Sequence, residues 1–524
     1  MPEFPKLVKD GPAQPAPVRG KIKSLDDLSV LSRQARSAGE TVVLCHGVFD
    51  LLHMGHVRHL ESARREGTKL VVTLTADRYV NKGPNRPVFP EQLRAEMVAA
   101  IEYVDWVAIN DAPSAETVLN AVQPSIYVKG SDYRNSEEDV TGKITAERNA
   151  VESHGGKIVF TDDITFSSSA LINRYMNVYQ PELANFLEPF REEGGLKRLC
   201  QSIEAVSNYK VLVVGDAIID DYQYVTPLGK SPKENMIATL YQSRETFAGG
   251  AIAAANHAAG FCKQVDIITV LGENENYEEL IRSSLRPNVN MTAVMRPSAP
   301  TTRKTRFVES YSLRKLFEVY SMDDTPLPAA VKAELHRVLG ERLADYDAVI
   351  VNDFGHGMLR DDTLNLLAEK SRFLGVNAQS NSANLGYNFI TKYPRADYLC
   401  IDSAEAHLAA GDKHLDLSEI VKDRLPTAVN CPKVIVTRGK YGCLTREGDG
   451  TLVGVPALTS TIVDTVGAGD AFFAVTAPMV AAGARMGDIG FIGNAAGALK
   501  VGIVGHRSAV DKAALIKFVT SLLK

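Results

Sequence analysis

Short apolar runs alternate with amphipathic segments along most of the chain. In the first third these runs fall at residues 41–45, 69–75, 106–109, 125–129 and 157–160, each of strand length. The stretches between them, such as residues 91–103, carry apolar positions at helical spacing. A second series opens with KVLVVGD at Lys210 and continues at 265–271, 348–352, 398–401 and 434–437. Strands that alternate with helices in this way predict α/β architecture, here two doubly wound parallel-sheet domains. Alternating residues over 293–320 predict a further small sheet or β lid, and PELANFLEPFREEGG predicts a helical connector. The expected layout is a disordered tail at 1–20, a first domain at 21–178, a helical linker at 179–208 and a second domain at 209–524.

Composition narrows the class without choosing a function. The chain has 524 residues, too many for one core, with 45% apolar and 23% charged residues. A net charge of -5 gives no basic footprint for nucleic acid. No apolar run approaches the ~20 residues that span a bilayer. Six widely spaced cysteines form no CxxC pair, so neither zinc nor disulfides are expected, and a reducing cytoplasm is the expected location.

The first chemical signal is GVFDLLHMGH, Gly47 to His56, between a predicted strand and a predicted helix. His53 and His56 fall on the first turn, where unpaired N–H groups and the helix dipole already favour an anion. Gly47 permits close backbone approach. Attack of an anionic oxygen on an α-phosphate needs donors placed for the developing charge, and these residues supply them. The motif resembles the HxGH signature of cytidylyltransferase-like nucleotidyltransferases. KGPNRPVFPEQLRAEMVAAIEYVDWV from Lys82, VKGSDY from Val128 and FSSSALI from Phe166 extend the match. Together they resemble the adenylyltransferase half of the bacterial bifunctional heptose kinase/adenylyltransferases. The resemblance implies that His53 and His56 stabilise the α-phosphate and that Phe49 and Asp50 border the nucleotide. It also implies that Lys82, Lys129 and Asp132 face phosphate or metal, and that Ser168 and Ser169 hold the β/γ-phosphates. His46 stands where that family usually has Asn, which leaves ATP and CTP both open as substrate.

The second signal is DTVGAGDAF, Asp464 to Phe472, ahead of an apolar helix. Gly467, Ala468 and Gly469 would present successive N–H groups to a transferring phosphoryl group, and Asp470 would take the proton of a sugar hydroxyl. This segment resembles the ribokinase-like (PfkB) carbohydrate kinases. The resemblance implies sugar contacts from Asp216 and Asp220 in GDAIIDDY, from Gly249 and Gly250, and from Asp353 in NDFGHGML. It implies substrate-phosphate contacts from Lys304 and Arg306 in PTTRKTRFV. Asp402 and Glu405 would lie beside the nucleotide, Glu405 placing Mg²⁺ through water, with Thr437 and Gly439 on the adenine side. Several positions depart from the heptose kinases: His356 replaces a lysine, NAQS at Asn377 replaces DPKG, and Ile252–Ala253 replace an Asn-bearing stretch. His257 and His407 read as ordinary helix residues. The domain order is reversed relative to the familiar bifunctional enzymes, which leaves each domain's chemistry unchanged.

The combined expectation is a bifunctional, cytoplasmic transferase of nucleotide-sugar synthesis. It would act on small sugar phosphates and nucleoside triphosphates with Mg²⁺, with no nucleic-acid or membrane partner. The resemblance further implies a homo-oligomer. Two alternatives stay open: a polyol-phosphate cytidylyltransferase fused to a kinase for another sugar, and a non-catalytic sensor or assembly protein with a degenerate kinase half.

Overall fold

The computed structural model describes residues 18–80, 82, 86–130, 143–161 and 179–524. The chain separates into two compact units at Tyr179/Gln180. Most of the expected tail at 1–20 lies outside the described residues, as do Asp132, Ser168 and Ser169.

The first unit is built on five parallel strands: β1 (Val42–Gly47), β2 (Lys69–Thr75), β3 (Trp106–Asn110), β4 (Ile126–Gly130) and β5 (Lys157–Thr161). Their order is β3-β2-β1-β4-β5, so the chain reverses direction across the sheet between β1 and β4. The apolar runs form strands because both faces are covered. Helices Met54–Arg65 and Glu91–Ala99 enclose one core through Leu60, Ala63, Ala95 and Val98. Helices Leu25–Ser37 and Glu116–Val122 enclose the other through Leu28, Val118 and Leu119.

One buried cation organises the loops at the strand ends. Arg94 is fully buried and donates Nε–H to Phe89 O at 2.9 Å, and Nη2–H to Thr75 O at 2.8 Å and to Asp77 Oδ1 at 2.6 Å. Its other terminal nitrogen donates to Val48 O in the loop after β1. Five donors in a rigid fork suit such a clamp.

The second unit holds two sheets. Strands β6 (Lys210–Gly215), β7 (Ala217–Lys230), β8 (Ile237–Gly250), β9 (Gln264–Asn274), β10 (Val289–Pro300), β11 (Arg303–Glu309), β12 (Lys315–Ser321), β13 (Ala348–Asp353), β14 (Leu374–Ala378), β15 (Tyr398–Asp402), β16 (Lys433–Thr437), β17 (Cys443–Arg446) and β18 (Leu452–Val455) follow in chain order. The large sheet runs β10-β9-β6-β13-β14-β15-β16-β17-β18, parallel as far as β16 and antiparallel thereafter. The small sheet runs β12-β11-β7-β8.

Two expectations change here. The segment at 293–320 is not one small sheet. β10 extends the large sheet beside β9, and only β11 and β12 join the lid, whose other half is the long hairpin of β7 and β8. The segment read as a linker at 179–208 packs onto the second unit. Phe190 stacks on Phe491 at 4.9 Å between centroids, Arg191 donates to Leu522 O, and Arg198 pairs with Asp488 at 3.1 Å. A Cβ at Gly195 would lie 2.2 Å from the Phe190 ring, so this helix pair is closely fitted.

Arg94→Met leaves three buried carbonyls without their donor and lowers the stability of the first unit by about 3 kcal/mol or more. The single tryptophan, Trp106 on β3, lets its fluorescence during urea unfolding report that unit alone. Division at 179/180 yields two soluble folded pieces, whereas a cut at 194/195 strips helix Pro181–Glu192 from its partner and leaves the larger piece aggregation-prone in size-exclusion chromatography.

Candidate functional sites

Each unit concentrates its polar groups where parallel strands end and the strand order reverses, the usual crevice of open α/β sheets. In the first unit β1 ends at Gly47 and the chain turns through Phe49, whose φ is +51°, into helix Met54–Arg65. His53 caps that helix by accepting the Gly55 N–H at 3.1 Å. The rings of His53 and His56 stack with centroids 4.0 Å apart, and Phe49 leans on His56 at 5.2 Å. A Cβ at Gly47 would meet the Phe49 ring at 3.1 Å. Burial, then the charges of His53 and Lys82, push His56 down to about 3; burial lowers His53 as well. Among the described residues, Nδ1 of His56 is buried with no hydrogen-bond partner. The pair is therefore neutral at ordinary pH.

The other residues expected here divide. Lys82 lies near enough for its charge to act on His56. Asp50 is fully buried, accepts Val88 N–H at 2.6 Å and pairs with Arg86 at 2.7 Å. Lys129 is paired with Glu147 at 2.7 Å, and Glu147 also accepts from Tyr127. His46 makes contacts to the hydroxyls of Thr73 and Thr75 at 2.9 and 3.3 Å.

In the second unit the edge of β6 and β13 carries the carboxylates. Asp216 follows β6 and accepts Phe354 N–H at 3.0 Å; burial, then the charge of Asp353, raises it to about 7. Asp353 is buried and held by Tyr393 Oη at 2.7 Å and Lys392 Nζ at 2.6 Å. Asp220 on β7 pairs with Arg306 on β11 and with His506 at 3.1 Å. Burial alone would raise Asp220, but these two partners hold it well below the usual carboxylate range. Gly249 and Gly250 end β8 where no side chain fits: a Cβ at Gly249 would stand 2.0 Å from Asp220 Oδ2, and Gly250 has φ +58°. Lys304 is buried over the rings of Tyr320 and Phe354, and burial lowers its affinity for a proton. Both ring nitrogens of His356 are buried without partners. Burial, followed by Lys304, takes His356 down to about 3.

Opposite these lies helix Ala468–Ala481. Gly467 opens it at φ +74°, and no side chain caps it. Of the three N–H groups expected to point outward, that of Ala468 bonds to Thr465 O at 3.3 Å. Nothing lies within 4 Å of a Cβ built on Gly469, so the helix start is open on that side. Asp470 is buried and raised by that burial, against the pull of His506 and of Gln379, which donates to Oδ1 at 2.6 Å. Asp464 ties the lid to this loop: it accepts from Tyr222 Oη at 2.8 Å, Gly505 N–H at 2.8 Å and Lys315 at 2.6 Å. Glu405 and Asp402 form a capping box on helix Ser403–Ala410, and Glu405 also accepts Ser380 N–H at 2.9 Å. Burial, then the charge of Asp402, raises Glu405 to about 7. Thr437 ends β16, and Gly439 opens the turn beyond it at φ +53°.

Residues 208–513 match the model of the pfkB family carbohydrate kinases, more than half of the chain. The chain belongs to the PfkB carbohydrate kinase family. Residues 44–174 match the cytidylyltransferase-like model. The bifunctional protein HldE of Methylobacillus flagellatus is 42% identical over 163 residues, 31% of this chain and 32% of that protein. HldE of Syntrophotalea carbinolica is 37% identical over 163 residues, 30% of this chain and 32% of that protein. The chain thus spans about a third of the length of the curated relatives it matches. The structure of Arabidopsis thaliana ribokinase complexed with ribose and ATP is 19% identical with a TM-score of 0.45, covering 60% of this chain and 99% of that one.

Several residues of the PfkB unit's pocket gave no signal in the sequence. Gln379, read only as a lost lysine, contacts Asp470 directly. Lys500 is fully buried and donates to Val466 O at 2.7 Å and Gly505 O at 2.8 Å, joining the loop before Gly467 to the turn that carries His506. A mid-helix lysine and a loop histidine carry no motif by themselves. Only the distant acceptors they meet reveal them. His257 and His407 are structural: His257 accepts Val510 N–H, and His407 lies against the Ser403 and Leu415 carbonyls.

The neutral His56 has a thermodynamic signature. An unfolded chain binds its proton near 6.5, whereas the folded one refuses it until about 3, so stability is full above 6.5 and is lost as pH falls toward 3. Urea unfolding followed by Trp106 fluorescence shows a smaller loss over that window in His56→Gln than in the parent chain.

Proposed function

We propose that the chain is a bifunctional transferase of nucleotide-sugar synthesis with two independent sites. In the PfkB unit Asp470 takes the proton of a sugar hydroxyl. The oxygen bonds to the γ-phosphorus of ATP, the bond from that phosphorus to the bridging β,γ-oxygen breaks, and ADP leaves. The uncapped helix start at Gly467 carries this reading, because it presents N–H dipoles beside a buried carboxylate of raised basicity. Lys304, Arg306 and the unpartnered His356 favour an acceptor that already bears an anionic group, and a heptose 7-phosphate phosphorylated at its anomeric hydroxyl fits that chemistry.

The chemistry of the carboxylates fits Mg²⁺. No group of three or more metal-ligating side chains occurs among the described residues. Glu405 is nevertheless raised by the charges of Asp402 and Asp470 as well as by burial. A hydrated cation shared with nucleotide phosphates would relieve that crowding, with Glu405 holding it through water. When bound it neutralises phosphate charge.

In the first unit an oxygen of a sugar 1-phosphate attacks the α-phosphorus of ATP or CTP, and the bond to pyrophosphate breaks. The His53/His56 pair and the start of helix Met54–Arg65 stabilise the added charge. The resemblance to the adenylyltransferase half of the heptose kinase/adenylyltransferases favours AMP transfer over CMP transfer. Ser168, Ser169 and Asp132 are proposed for the triphosphate and its metal. If the acceptor enters with a 7-phosphate, a separate phosphatase acts between the two steps. The outer lid residues Met236, Ile237, Leu240, Phe317 and Val319 are exposed, which supports a homo-oligomer, and free, mostly buried cysteines agree with a cytoplasmic setting.

Heptose and hexose phosphates offered with ATP or CTP, followed by ³¹P NMR and pyrophosphate release, test the assignment. His56→Ala lowers pyrophosphate release about 100-fold or more and leaves ADP formation unchanged, and Asp470→Asn does the reverse. Loss of both activities in either variant refutes independent sites.

A further inference from the structure

The turn after helix Met486–Lys500 carries a histidine that none of the steps above uses. The side chain of His506 is 7% exposed, and its Nε2 lies 3.1 Å from Asp220 Oδ2. Its Nδ1 is buried and has no hydrogen-bond partner. The ring presses on the start of the phosphoryl-site helix: a Cβ at Gly467 would lie 2.6 Å from Cε1 and 3.4 Å from Nδ1. A buried ring nitrogen without a partner is costly, and native structures keep few of them.

The surroundings fix this ring firmly. Asp220 is held ionised by Arg306 as well as by His506, so it acts as the acceptor and Nε2–H as the donor. Lys500 clamps both Val466 O and Gly505 O, which sets the turn bearing His506 against the loop bearing Gly467. Asp464 reinforces the same junction by accepting the N–H groups of Val466 and Gly505. Swinging the ring away breaks its Nε2 contact with Asp220. Its Nδ1 therefore lies beside the Gly467 turn that opens the helix.

We propose that His506 is a side-chain component of the phosphoryl site, its Nε2–H anchored by Asp220 and its Nδ1 hydrogen-bonded to the phosphoryl group in transit. This rests on the PfkB-unit reading above. As the sugar oxygen bonds to the γ-phosphorus and the bond to ADP breaks, Asp470 keeps the hydroxyl proton and His506 neither gains nor loses one. Asp220 is thereby a positioning residue for His506 as well as a wall of the sugar pocket.

The two nitrogens are separable by substitution. In H506Q the longer amide reaches the Nε2 position and keeps a donor for Asp220, but nothing replaces Nδ1. In H506N the shorter amide lies near the Nδ1 position and gives up Asp220. Calorimetric titration of the full chain with ADP alone, and with ADP plus aluminium fluoride, both in Mg²⁺, reads the phosphoryl position without needing the sugar. The expected result is that wild type binds the fluoride complex more tightly than ADP. H506Q loses about tenfold or more of affinity for the fluoride complex while ADP affinity stays within about twofold, and H506N recovers part of that loss. Equal weakening of both ligands in H506Q, or no weakening of either, overturns the proposal, as does wild-type binding of ADP with no gain from fluoride. Failure of the wild-type chain to bind ADP at all overturns the PfkB-unit reading itself, and this inference with it.

Discussion

A parallel strand delivers the chain to the same edge of the sheet every time, and the helix that follows begins there with N–H groups unmet. This constraint governs both units. It gathers positive dipoles at one rim, and where strand order reverses, between β1 and β4 or between β6 and β13, neighbouring loops part and leave a crevice. Anionic substrates are suited to such a rim, and so are the side chains that must be kept from collapsing into it. The mixed lid sheet of the second unit, with a parallel β11–β7 pair between two antiparallel pairs, adds a wall to one of these crevices.

The rim is held in shape by buried cations whose partners are mostly carbonyls. Arg94 in the first unit and Lys500 in the second each bind carbonyl oxygens from separate loops. Burial opposes both charges, and the several short hydrogen bonds each makes offset that cost. A hydrophobic residue of like volume would fill the space and still leave the loop carbonyls unsatisfied. Several residues that resemble ligands are spent on the same task, among them Asp50 on Val88 and Arg86, and Asp353 on Tyr393 and Lys392. Among the described residues, the buried polar atoms left without hydrogen-bond partners at these strand ends include ring nitrogens of His56, His356 and His506 and the amide of Asn352.

Apart from β14, whose buried Leu374–Ala378 run was not among those expected, the central strands were readable because burial on both faces demands an unbroken apolar run, and an exposed loop would not keep one. Residues 69–75 coincide with β2, and the others agree within one or two positions except β9, which runs on past its apolar core to Asn274. The lid was less readable. Strands β7 and β8 are each 14 residues long and leave the apolar core part-way, so their outer halves look like polar loop. The stretch at 293–320 alternates throughout, yet its first part joins a different sheet from the rest, a choice made by strand pairing and not by pattern. The helices at 181–205 read as a connector because their amphipathic face shows that something is covered without naming it.

By itself the sequence determined that there are two α/β units and where each has the helix start that bears its motif, because periodicity and local motifs are properties of neighbouring residues. Tertiary structure alone decided which polar side chains face those starts. Tyr222 and Asp464 meet across 242 positions, and the Asp220–His506 and Arg94–Val48 contacts likewise join separate elements. Whether a carboxylate is a ligand or a brace depends on which donors arrive beside it, and that is settled only when distant strands and loops close around the same buried space.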